Sequence, residues 1–256
     1  MEKIIIKNLN LEYSDGTESL RGINLNIPAN QISVLFGPAG GGKSTLLRVI
    51  NRLNDLADVT RVEGQVVIIN MDGSKTEVLD PKLDVIGLRR RIGMVFARPI
   101  VLPLTIRGNL TYGLEVAGVK NKQRLDEAVE HSLRQAALWE EVADRLDDPA
   151  VALSGGQQQR LCLARSLVLE PEIILLDEPT SGLDPISTTK VEASLQELKN
   201  KYTVILVPHS VQQAARTADY AAFFLQGELI EQGPGKNLFV NPKDQRTEDY
   251  VEGRFG

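Results

Sequence analysis

The sequence predicts an α/β fold around a buried parallel sheet, and three observations carry that prediction. Short apolar runs of strand length recur along the chain: "QISVLF" at 31–36, "IGMVF" at 92–96, "EIILLDEP" at 172–179 and "YTVILV" at 202–207. Segments with helical spacing lie between them, and strands alternating with helices imply a parallel sheet covered on its faces. The glycine-rich turn "GPAGGGKST" at 37–45 joins one such run to a helix, a connection typical of anion-binding α/β proteins.

Taken in order, residues 3–9 and 20–27 read as strands around the turn "SDGTE". After the strand 31–36, Leu46, Leu47, Val49, Ile50 and Leu53 fall at helical spacing. "VEGQVVIIN" at 62–70 reads as a strand closed by "DG", and basic "RRR" precedes the strand 92–96. From about Leu104 to Ala137 the pattern is helical, with Leu125, Ala128, Val129, Leu133, Ala136 and Ala137 on one apolar face. The stretch 97–165 is long enough to form a helical lobe inserted into the sheet core. A helix is expected from about Ile186 to Asn200, and "DYAAFFLQGELIEQG" reads as two strands around a glycine turn. A polar tail follows, with "NLF" as its last expected helical turn.

Composition narrows the function. A chain of 256 residues with 42% hydrophobic residues supports one large domain or a core with a lobe. The formal net charge of −5 provides no global basic field for nucleic acid. The single cysteine, Cys162, fits a reducing compartment and reads as a buried helix residue. The opening "MEKIIIKNLN" lacks the apolar core of a signal peptide, and no run reaches membrane-spanning length. A membrane role is therefore expected to run through a partner.

Residues Gly37, Pro38, Ala39, Gly40, Gly41, Gly42, Lys43 and Ser44 fit G-x-x-x-x-G-K-[ST]. Glycines let backbone N–H groups wrap phosphates, lysine brings charge to the β/γ-phosphates, and the serine hydroxyl can ligate Mg²⁺. A dinucleotide fingerprint lacks the Lys-Ser ending. Asp177 and Glu178 close an apolar strand; a carboxylate there can hold Mg²⁺ and its neighbour can polarise water, a surface acid pair being the competing reading. "LSGGQQQR" at 153–160 opens a second helix with Ser and Gly, residue types suited to a helix start that attracts anions.

The phosphate loop, "LSGGQQQR", "LLDEPTSGLD" and a later His209 occur in that order, and the set resembles the ATP-binding cassette (ABC) ATPases. The resemblance covers the whole chain. It implies a P-loop NTPase with a RecA-like core, an N-terminal antiparallel β subdomain and an inserted helical lobe. As one domain spanning 1–256, it would divide into a core at 1–96 and 166–256 and a lobe at 97–165. Two copies would pack head to tail, with ATP held between the loop of one, Thr45 included, and the signature residues Ser154, Gly155, Gly156 and Gln157 of the other. By the same resemblance Tyr13 stacks on adenine, with a strand-packing tyrosine as the alternative. Asp184 belongs to the loop linking the two sites, Glu178 activates water, and His209 contacts the γ-phosphate. His131 reads as merely solvated.

"NRLNDL", "RRRIGMVF", "VQQAARTADYAAFF" and the tail "NPKDQRTEDYVEGRFG" narrow the resemblance to the ATP-binding subunits of bacterial phosphate importers. That implies ATP and Mg²⁺ as cofactors, a homodimer at the cytoplasmic side of the cell membrane, integral membrane permease subunits, an indirect solute-binding protein, and no nucleic acid. The alternative is an ABC ATPase for another substrate, or a non-transport one with weak turnover. The match is poorest at "ARPIVLPLTIRGN", 97–109, where the family docks its permease. There Ala97 stands where the family carries glutamine, which predicts a slow or weakly coupled ATPase.

Overall fold

The computed structural model describes residues 1–254; the last two residues of the tail motif, Phe255 and Gly256, lie outside them. Ten strands are described: β1 Glu2–Tyr13, β2 Glu18–Pro28, β3 Ile32–Phe36, β4 Val59–Ile69, β5 Lys75–Glu77, β6 Ile92–Val95, β7 Ile173–Asp177, β8 Thr203–Val207, β9 Tyr220–Leu225 and β10 Glu228–Pro234. The helices are α1 Lys43–Ile50, α2 Val85–Arg91, α3 Ile106–Val116, α4 Lys122–Gln135, α5 Trp139–Val142, α6 Gly155–Leu167, α7 Pro185–Leu198, α8 Val211–Thr217, α9 Gly235–Val240 and α10 Gln245–Val251.

The strands form two sheets. A six-stranded sheet has the order β10-β9-β3-β8-β7-β6; β9, β3, β8, β7 and β6 run parallel, and β10 pairs antiparallel at one edge. The second sheet, β2-β1-β4-β5, is antiparallel. Side chains alternate across a strand, so each parallel strand feeds two cores. Val34, Ile174, Leu176, Val204, Leu206 and Phe223 pack towards α3, α4, α6 and α7. Leu35, Ile173, Leu175, Ile205, Val207 and Phe224 pack towards α1 and the antiparallel sheet. Burial on both faces explains why these strands read as continuous apolar runs.

Several sequence expectations shift. The helical stretch 104–137 is two helices, broken where Gly118 takes φ +93°. Ala137 is exposed and not on the apolar face; Val129, Leu133 and Ala136 are buried, and Leu125 and Ala128 only half-buried. At φ +51° Ala137 ends α4 as the left-handed cap usually given to glycine, with the Leu138 N–H donating to the Leu133 carbonyl. "NLF" is not the last helical turn. The polar α10 follows, capped by Asp244, and its Tyr250 packs against Phe223 and Phe36. The short elements β5, α2 and α8 had no reading in the sequence.

Candidate active site

β3 ends at Phe36, and the glycine-rich loop turns on backbone that only glycine allows. Gly37 has φ +136°, and a Cβ there would sit 2.0 Å from the Phe224 carbonyl oxygen; at Gly42, φ +93°, it would sit 2.4 Å from the Ser19 carbonyl. The loop is thus pressed onto β9 and β2, and α1 begins without a side-chain cap, leaving N–H groups of its first turn for an anion. Lys43 folds over the loop, its Nζ donating to the Gly37 and Pro38 carbonyls at 2.9 and 2.7 Å. Burial pushes its ammonium below the usual lysine value, opposed by the charges of Glu178 and Asp177. Pro38, Ala39, Gly40 and Gly41 complete the loop, with Ala39 and Gly40 exposed at its tip.

Thr45 is buried, and its hydroxyl lies 2.8 Å from Ser19 Oγ and 3.2 Å from the Tyr13 hydroxyl. Tyr13 is half-buried against the antiparallel sheet's core. Its ring is tethered beside the loop by this bond.

The hydrolytic candidates gather at the same edge. β3, β8 and β7 are neighbours running parallel, so the segments leaving their carboxyl ends converge. Ser44 Oγ donates to Asp177 Oδ1 at 2.9 Å. Glu178 follows at φ +49°, its N–H donating to the Val207 carbonyl. A non-glycine residue in that region is strained and persists where its surroundings hold it. His209, beyond β8, is exposed; its N–H donates to Gln213 Oε1 at 2.9 Å. Gln213 Nε2 donates in turn to Thr180 Oγ1 and Glu192 Oε1, each at 2.9 Å. Gln213, only 2% exposed, therefore ties the loop after Glu178 to the loop carrying His209.

No group of three or more His, Cys, Asp or Glu side chains suited to a metal occurs among the described residues. The Ser44–Asp177 pair offers oxygen donors only. That chemistry fits a hard cation such as Mg²⁺, which Ser44 and Asp177 would help to hold.

The second anion-seeking feature is the start of α6. Ser154 caps it: Ser154 Oγ accepts from the Gln157 N–H at 3.3 Å, and Gln157 Oε1 accepts from the Ser154 N–H at 3.0 Å. The other end of the Gln157 amide donates to Glu141 Oε2 at 3.0 Å, so its side chain is committed within its own chain. Ser154 and Gly155 are exposed. Gly156 is buried; a Cβ there would lie 2.3 Å from Ser187 Oγ. Ser187 donates to Asp184 Oδ2 at 2.6 Å, and Asp184 caps α7. These bonds from Ser187, its hydroxyl first, hold the Asp184 carboxyl below its usual range. The signature and the 181–184 loop therefore form one packed unit, while the phosphate loop's side-chain bonds run to its own carbonyls and to Asp177.

The ABC transporter family model matches residues 20–181. The chain belongs to the ABC transporter family. A curated relative, the phosphate import ATP-binding protein PstB of Pseudoalteromonas translucida, is 52% identical over 251 residues, covering 98% of this chain and 89% of the relative. Among solved structures, cbiO1 of Clostridium perfringens, part of the ABC transporter complex cbiONQ, superposes with a TM-score of 0.76 at 27% identity, covering 99% of this chain and 97% of that one. A bacterial Atm1-family ABC exporter with ATP bound superposes at 0.78 and 25% identity, covering all of this chain and 42% of the exporter's. The cassette architecture expected from the sequence is the one observed: a parallel-sheet core, an antiparallel β subdomain and a helical lobe.

Two polar residues of this cassette escaped the sequence reading. Gln213 carried a usable signal, since "SVQQ" places Gln three residues after the helix cap Ser210. Glu141 carried none, because its partners lie 16 to 49 residues away. Cys162 is a buried thiol whose burial pushes its pKa up, as expected of a structural cysteine.

Proposed function

We propose that the chain is the ATP-hydrolysing subunit of an importer of inorganic phosphate. It works as two copies at the cytoplasmic side of the cell membrane, attached to membrane permease subunits that a solute-binding protein supplies. The observation that carries this reading is the 52% identity, over nearly the whole chain, to a phosphate import ATP-binding protein.

The two half-sites support a sandwich of two copies. The phosphate loop of one copy and the Ser154–Gly156 helix start of the other enclose ATP, Tyr13 facing adenine. Exposed apolar Val151, 61% accessible, and Ile186, 71% accessible, flank the signature and the Asp184 loop, as suits a face that a second copy covers. Lys43 leaves its own loop carbonyls for the β/γ-phosphates. Ser44 and Asp177 would hold Mg²⁺, which supplies charge neutralisation on the phosphate oxygens. The Glu178 carboxylate takes a proton from the attacking water, and His209 donates a hydrogen bond to the γ-phosphate. The permease sits in a groove of about 290 Å³ lined by Arg89, Phe96, Cys162, Arg165 and Leu169, with exposed Ile100 and Leu104 on the adjoining 97–105 segment.

Expression in a bacterium lacking its own phosphate-import ATPase tests the reading. Restored phosphate uptake, lost again with Glu178→Gln, is expected. Purified Glu178→Gln is expected to form an ATP-dependent dimer with negligible turnover, because an amide does not accept the proton. Uptake of a different solute, or a dimer that ignores ATP, would overturn it.

A further inference from the structure

We propose that Glu141 is a positioning residue for the signature helix, a strut that fixes Ser154–Gly156 relative to α7. The inference rests on the reading above, in which that helix start meets the ATP held by a second copy. Glu141 sits on the four-residue α5, between Trp139, which packs on the lobe's core, and buried Val142. Its carboxylate accepts from donors on two other helices. Arg160 Nη1 reaches Oε1 at 2.7 Å and Nη2 reaches Oε2 at 3.0 Å, while Gln157 Nε2 reaches Oε2 at 3.0 Å, both from α6. Lys190 Nζ, from α7, reaches Oε1 at 2.6 Å.

Each partner bears on the helix start. Gln157 closes the capping box with one end of its amide and reaches Glu141 with the other. An acceptor at Glu141 fixes which end faces which way, and so keeps an acceptor on the Ser154 N–H. Arg160, with 3% of its side chain accessible, also donates to the Gly156 carbonyl at 3.3 Å and the Ala137 carbonyl at 2.6 Å. Without Glu141 its buried charge would face carbonyls alone. Lys190 lies on the helix that Asp184 caps and against which Gly156 is packed through Ser187. β7, with Asp177, leads through Glu178 and the 181–184 loop into α7. The strut therefore joins the surface offered to one nucleotide with the segment that serves the other.

The Arg160 bonds, opposed by partial burial and reinforced by Lys190 and Gln157, hold the Glu141 carboxyl down to about 2. It is ionised at every working pH and acts as a fixed strut.

The test uses Glu141→Gln, which keeps shape but turns one oxygen into a donor facing donors. ATP binding by the isolated chain, read with a fluorescent ATP analogue, is expected to stay within about twofold, since the signature belongs to the other nucleotide. Turnover is expected to fall about tenfold or more at little-changed KM, the worth of a charge-assisted hydrogen bond. Added to Glu178→Gln, it is expected to move ATP-driven dimerisation, read by size exclusion, to about tenfold higher ATP. The double variant Glu141→Gln/Gln157→Glu restores a donor–acceptor pair and is expected to recover most of the turnover. Unchanged turnover and dimerisation overturn the proposal. So does a loss that the swap does not rescue and that tracks the folded fraction seen by thermal melting. If Glu178→Gln alone fails to dimerise with ATP, the two-copy reading falls, and the strut with it.

Discussion

Replacing Gly156 by alanine separates two explanations of the same glycine. One is that a nucleotide needs the space; the other is that α7 does. Gly156 lies within α6 and takes no left-handed backbone, so alanine introduces no dihedral strain and gains up to about 1 kcal/mol of helix propensity. Its Cβ would lie 2.3 Å from Ser187 Oγ and 2.9 Å from Ser187 Cβ. Overpacking of this kind costs about 1–3 kcal/mol. If Ser187 rotates away, it leaves Asp184 Oδ2, at 2.6 Å, and a hydrogen bond to a charged group is worth about 1.5–3 kcal/mol. The net cost is roughly 0–3 kcal/mol, which lowers the melting temperature by up to about 12 °C for a chain of this size. ATP binding by the isolated chain should hold while ATP-driven dimerisation weakens. The decisive variant is Gly156→Ala/Ser187→Gly, which removes the clash and lets the methyl take the space that the Ser187 side chain leaves. Recovery of most of the turnover is expected, while the melting temperature stays below the parent's because Ser187→Gly also removes the hydroxyl bond to Asp184. Turnover still absent in the folded double variant would refute the packing explanation and assign the space to the nucleotide.

Three further outcomes follow from the same geometry. Ser154→Arg should leave ATP binding by a single chain nearly intact and abolish hydrolysis, with a loss of about 0.5–2 kcal/mol in urea unfolding from the missing cap; loss of ATP binding by the isolated chain would contradict the cross-copy role. Ala97→Gln should raise ATPase activity by roughly a few-fold to tenfold, the worth of one neutral polar contact made in the transition state, most strongly with the permease present; equal turnover by both variants would show the position to be neutral. Glu141 has its folded-state pKa lowered from 4.5 to about 2, so its stabilisation is full above about pH 4.5 and is lost as pH falls through about 2. The stability gap between the parent chain and Glu141→Gln should therefore narrow from pH 5 to pH 3 in urea titrations, and a gap that widens on acidification would contradict the ion-pair geometry.

The sheet core was legible because burial on both faces leaves a local mark. The runs at 31–36, 172–179 and 202–207 have no polar alternation because both sides of β3, β7 and β8 are covered. The turn at 37–45 was legible because each glycine answers a local demand, a positive φ or a neighbour's carbonyl. Less was legible where tertiary contacts decide. Ala137 reads as one more apolar helix position, yet it is the left-handed residue that ends α4. α10 reads as polar tail because few of its residues face the core, and Tyr250 finds its aromatic partners far upstream at Phe36 and Phe223.

The site divides along the same line. Lys43, Ser44, Asp177 and Ser154 could be placed from the sequence because each stands at the end of its own strand or helix. Gln157 was expected at the nucleotide from its place in the motif, and within its own chain its amide also bonds Ser154 and Glu141, which the motif alone did not show. Glu141 left no trace, because α5 is a single turn whose meaning comes from helices packed around it. Gln213 stood between the two cases, marked as a helix-cap partner but not as the link between Thr180 and His209. A motif shows where a nucleotide is met. What holds the motif in place is written in residues with no fixed spacing from it. On the proposed reading, in which two copies close on ATP, those holding residues decide whether a correct motif arrives at the correct place, and substitutions at Glu141 and Gln213 should therefore alter turnover more than nucleotide affinity.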